Sequence, residues 1–157
     1  MSKNHKPDRE KKMKGKKYAV IKPNFVNTVN QLAASYVDGV RGILDYLAES
    51  FKGPVVIAES SAGNTLAGYE QFGYSKVPAE HKEREVTLVD LNTEGRYETL
   101  QILDDNLHLQ PVRLAARLLD PDAYVICSGA MKTHNAVVAT LSIKNMALGA
   151  PLRSGPK

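Results

Sequence analysis

Tryptophan is absent, cysteine occurs once, and the aromatic residues are three phenylalanines and seven tyrosines among 157 residues. A single cysteine, Cys127, excludes an internal disulfide and any zinc or iron–sulfur centre held by a cysteine cluster of this chain. So few aromatics argue against a base-stacking platform for single-stranded nucleic acid. No apolar run approaches the roughly 20 residues that a membrane-spanning helix needs. The charged amino-terminal segment is followed by no apolar core of a secretory signal before Tyr18. A cytoplasmic location is therefore the expectation, with no transmembrane segment.

What is present is enough for one core. Hydrophobic residues make up 43% of the chain, and the length suits one domain of ordinary size. The net charge of +4 is unevenly placed. Residues 1–17, MSKNHKPDREKKMKGKK, hold seven lysines and one arginine against Asp8 and Glu10, a surplus of +6. Taking that +6 from +4 leaves residues 18–157 at −2. Beyond the initial Met1 the basic segment has one large apolar residue, Met13, and is expected to stay disordered ahead of a single domain over 18–157. Such a run could hold polyanions nonspecifically, but nucleic acid is not the expected partner of a folded body that is net acidic.

The domain reads as α/β: a mainly parallel sheet with flanking helices, Rossmann-like and three-layered, if incomplete. YAVIK, residues 18–22, is a first strand stopped by Pro23. Val37, Val40, Ile43, Leu44, Leu47 and Phe51 form one helical stripe, with Ser35 and Asp38 spaced as a capping box and Gly53-Pro54 as the stop. VVIA, 55–58, is a second strand leading into Glu59-Ser60-Ser61-Ala62-Gly63-Asn64-Thr65 and a short helix through Leu66, Tyr69 and Phe72 that closes at Gly73. EVTLVDL, 85–91, is a third strand, and residues 92–110 form an excursion that allows a hairpin. Pro111 is read as the first turn of a helix through Leu119. AYVIC, 123–127, is a fourth strand, with Cys127 expected in the core.

In open parallel sheets, ligands bind outside the carboxyl ends of the strands. Each strand here ends in a polar cluster: Lys22-Pro23-Asn24, Glu59-Ser60-Ser61, Asp90-Leu91-Asn92, and the run from Ser128 to His134. The stretch MKTHNAVVATLSIKN, 131–145, then sets Lys132, Thr133, His134, Lys144 and Asn145 in an otherwise apolar segment. Lysines with neutral donors favour an anion, so the expected ligand is a small phosphate- or carboxylate-bearing molecule. Its expected contacts are Lys22, Asn24, Ser60, Lys132, Thr133, Lys144 and Asn145. His134 is the acid–base candidate, because its charge changes near neutral pH, with Glu59 as its carboxylate partner. No P-loop or GxGxxG fingerprint is present. A divalent metal on Glu59, Asp90 and His134 stays open without helical ligand spacing behind it. The plainer reading takes 137–144 as a half-exposed strand, with Thr140, Ser142 and Lys144 on the wet face.

In order, IKPNFV, VVIAESSAGNT with a following GY, VTLVDL, DAYVICSGAMKTH and ATLSIKNMALG resemble the domain of unknown function 362 family, from about Tyr18 to Gly149. By that resemblance Lys22, Pro23, Asn24, Glu59, Lys132, Thr133, His134, Lys144, Asn145 and Gly149 match motif positions. It implies no settled activity. It implies company with a ferredoxin-like iron–sulfur module, which leaves a second expectation: a non-enzymatic partner domain whose polar rim is an interface. The family pattern continues past the point where this chain stops, so the resemblance implies a domain truncated at its carboxyl end.

Overall fold

The computed structural model describes residues 11–134 and 137–153, with the side chains of His134 and Val137 outside that description. Four strands form a parallel sheet: β1 (Tyr18–Lys22), β2 (Val55–Glu59), β3 (Val86–Asp90) and β6 (Ala123–Cys127), in the order β3-β2-β1-β6. Two antiparallel ribbons stand apart from it, β4 (Tyr97–Leu103) with β5 (Leu109–Ala115), and β7 (Lys132–His134) with β8 (Val137–Thr140). The helices are α1 (Val37–Ser50), α2 (Thr65–Gln71), α3 (Val77–Glu80), α4 (Ala116–Leu119) and α5 (Ser142–Leu148). The α/β class, the parallel sheet and the flanking helices are those expected. No described helix is long and apolar enough to cross a membrane.

The core explains the placement. The alternating residues of β1 and β2 send Ala19, Ile21, Val55 and Ile57 to one face, where Val40, Leu44 and Leu47 of α1 meet them. Phe25, just after β1, stands edge-on to Tyr69, Phe72 and Tyr74, with ring centroids 5.5, 5.2 and 5.0 Å away. The scarce aromatics are thus concentrated where they pin the β1 loop to α2, a geometry that stabilises beyond area burial alone. The other face, with Val20, Val56 and Ala58, is covered thinly by Leu91, Ala115, Leu118 and Leu152. One turn of helix and the root of a ribbon stand there in place of a full third layer.

Four expectations need correction. Residues 109–115 are strand, not helix: Pro111 sits opposite Gln101 in a two-stranded ribbon, where an edge position tolerates its missing N–H. The strand after His134 ends at Thr140, and Lys144 belongs to α5, because SIKNMAL is made mostly of good helix formers. Ser35 does not cap α1. The N-cap is Tyr36 without a side-chain bond, and the Ser35 hydroxyl instead donates to the Ser128 carbonyl and accepts from the Asn24 N–H at 3.1 Å. The basic segment is packed at its end: Met13 is buried in the main core, Lys17 N–H donates to the Asp122 carbonyl at 2.8 Å, and the Lys17 ammonium pairs with Asp122 at 2.6 Å. Residues 1–10 of that segment lie outside the described residues.

Candidate functional site

All four strands point their carboxyl ends to one edge, where Lys22 registers with Cys127 and Glu59 with Asp90. Lys22 and Glu59 are the last residues of adjacent strands. Both are buried, and the Lys22 ammonium donates to Glu59 Oε2 at 2.8 Å. It also donates to Asn145 Oδ1 at 3.1 Å and toward the Pro23 carbonyl at 3.4 Å. Burial pushes the Glu59 carboxyl above its ordinary value, against the pull of the Lys22 ammonium and of the Ser60 and Phe25 backbone N–H groups. A charged pair this deep is held in place by such added hydrogen bonds, and removing either member strands the other.

Asn145, on α5, is the hub. Its Oδ1 accepts from both the Lys22 ammonium and Asn24 Nδ2, the latter at 3.0 Å. Its Nδ2 donates to the Pro23 carbonyl at 3.0 Å and toward Cys127 Sγ at 3.2 Å. One amide therefore ties α5 to the ends of β1 and β6. Cys127 is correspondingly part of this edge rather than a core residue, contrary to expectation. Gly149 closes α5 within the same network: a Cβ there would stand 2.4 Å from the Asn145 carbonyl oxygen and 3.1 Å from Lys22 Nζ. The Ser60 hydroxyl donates to the Gly149 carbonyl at 2.7 Å, clamping the other side.

Above this floor lies a cleft of about 210 Å³, bordered by Asn24, Glu59, Ser60, Thr140, Lys144 and Asn145, with Val26 and Leu148 at its side. Lys132, on β7, lines the adjoining groove, and its ammonium donates to Asn24 Oδ1 at the border of the cleft. Partial burial lowers its pKa, Glu59 opposes that, and the neighbouring Lys144 and Lys22 charges lower it further. Of the expected residues, Lys22, Asn24, Glu59, Ser60, Lys132, Lys144 and Asn145 converge. Thr133 is exposed and lines an adjoining groove of about 260 Å³ with Lys132 and Thr140. His134 lies in β7 beside them, its side chain outside the described residues. Lys22 is not a free cation as the sequence suggested, because Glu59 and Asn145 occupy its donors.

Asp90 is spent on its own turn, accepting from the Asn92 N–H at 3.0 Å. Among the described residues no three His, Cys, Asp or Glu side chains group as metal ligands. The contributions sequence reasoning missed are the Phe25 N–H and the apolar side chains of Val26 and Leu148, while Pro23 and Gly149, matched as motif positions, act through their backbone carbonyls. Only the tight spacing of Asn24 to Val26 could have flagged Val26.

A family model described as a domain of unknown function (DUF362) matches residues 19–157. No curated protein and no solved structure matches the chain.

Proposed function

The chain belongs to the DUF362 family, and from that premise we propose that its cleft binds a small anion bearing a phosphate or carboxylate group. The observation that supports this most is the local excess of cation. Lys22, Lys132 and Lys144 gather around one carboxylate, Glu59, and Glu59 is already matched by Lys22. Lys132 and Lys144 are then the charges left for a ligand, with the second N–H of the Asn24 amide beside them, while Ser60 and Asn145 hold the wall in place. The buried Lys22–Glu59 pair acts as the positioning floor. Within this reading His134 is the proton-transfer group, and Glu59, bordering the cleft, is its carboxylate partner.

The test is calorimetric titration with sulfate and inorganic phosphate of the native protein, Lys132→Ala and Lys144→Ala. Each substitution should weaken binding about 10- to 100-fold, the range for one charge-assisted hydrogen bond of ~1.5–3 kcal/mol. Binding that ignores both substitutions would reject the cleft. No binding at all would shift weight to a protein interface, such as the iron–sulfur partner that the family resemblance implies. For His134, its imidazole ¹⁵N titration should move on adding sulfate. An unmoved titration would remove it from the site.

A further inference from the structure

The cleft opens beside a second groove that shares Val26 and Thr140 with it. The cleft has the buried Glu59 and Asn145 in its wall, whereas the second groove sets the apolar Val26, Leu32, Ala33 and Met131 beside Asn30, Lys132 and Thr133. Leu32 is 77% exposed and Met131 76% exposed, and Leu148, on the cleft side, is 69% exposed. Exposed apolar side chains beside a cationic cleft offer surface that an aliphatic group can cover. Each groove has its own cation: Lys132 lines the second groove and Lys144 the cleft, with Val26 and Thr140 common to both.

We propose that the ligand is an amphiphilic anion, a phosphate or carboxylate carrying an aliphatic chain, with its head between Lys132 and Lys144 and its chain along Val26, Leu32 and Met131. The proposal rests on the anion reading above and deepens it. Charge complementarity fixes the head, and the polar cleft alone is small for a drug-sized ligand, since such sites commonly span ~300–1,000 Å³. The adjoining groove supplies the remaining length. A fully buried methylene contributes about 0.8 kcal/mol, or about fourfold in affinity. In a groove open on one side, about half of that free energy gives about twofold per methylene.

Titrate the full chain with inorganic phosphate, ethyl phosphate and octyl phosphate, the last below its micelle concentration. Six added methylenes should tighten binding on the order of 50-fold from ethyl to octyl. In Leu32→Ser/Met131→Ser that ratio should collapse toward one while ethyl phosphate binds as before. Both side chains are exposed, so the variant should fold, and circular dichroism checks that it does. Equal affinity for ethyl and octyl phosphate would overturn the amphiphile and leave the anion cleft standing. Failure of all three probes would overturn both. Vesicles containing phosphatidate separate the sources: binding to vesicles without binding to monomeric octyl phosphate would mean surface adsorption and would also overturn the proposal.

Discussion

Lys132 carries a charge that its surroundings oppose, and this makes it a titratable reporter of the cleft. Its pKa is lowered from 10.5, first by partial burial and then by the Lys144 and Lys22 charges, with Glu59 pulling the other way. In the native state it therefore gives up its proton at a lower pH than in the unfolded chain. Between that lowered value and 10.5 the unfolded state binds more protons, so stability from this group rises with pH. On the proposed function, anion affinity should run the opposite way and fall across the same window, because the proposed contact needs the ammonium. Sulfate, which does not titrate there, is the suitable probe. Lys132→Arg should abolish both slopes, since a guanidinium stays charged throughout. Calorimetry and urea unfolding at a series of pH values check this, and a sulfate affinity that stays pH-dependent in the arginine variant would exclude Lys132 as the cause. Removing the floor has a different signature. Lys22→Met leaves Glu59 buried without its partner and should cost about 3–5 kcal/mol in urea unfolding.

At the scale of elements, α5 depends on polar contacts in a way the sequence conceals. Of its residues only Asn145 is buried, it has no side-chain N-cap, and Ile143 and Leu148 face water. Its attachment is the Asn145 amide, with the Gly149 carbonyl held by Ser60. Asn145→Ala should therefore loosen α5 locally, at a cost of about 1–3 kcal/mol for the groups left unsatisfied. Hydrogen exchange should speed up across 142–149 more than across β1 or β2. Equal acceleration everywhere would show that the hub supports the whole fold instead. The same element marks the limit of sequence reading. The parallel strands and α1 were legible because Ala19, Ile21, Val40, Leu44 and Leu47 repeat at strand and helix periods, and the polar strand ends marked the edge where Lys22, Asn24, Glu59 and Ser60 come together. The switch from strand to helix after Thr140 was not, because VVATLSIKNMAL satisfies an alternating pattern almost as well as a helical one. Only the fold reveals Asn145 turned inward. Pro111 misled for a related reason: proline opens helices often, and edge ribbons that accept it leave no periodic trace.

Across the whole molecule, positive charge is held at two opposite poles of the sheet. Lys17 leads straight into β1 and meets Asp122 just before β6, so the described end of the basic segment, residues 11–17, lies at the amino ends of the strands. The cleft lies at their carboxyl ends. Five residues of strand at about 3.3 Å each separate them by roughly 17 Å. The Debye length at 0.15 M salt is about 8 Å, so charges that far apart across solvent are largely screened from each other. The five lysines of residues 11–17 should then add nothing to the affinity of a small anion in the cleft, although they can hold long polyanions that span many charges. Replacing exposed Lys11 and Lys14 by alanine, with Met13 kept in the core, tests this without disturbing the packed end of the segment. At 0.15 M salt the sulfate affinity should stay unchanged while retention on heparin falls. At 0.01 M salt, where the Debye length grows to about 30 Å, a modest loss of sulfate affinity should appear. A large loss already at 0.15 M would mean that the basic segment reaches the cleft itself, and the two poles would have to be treated as one site.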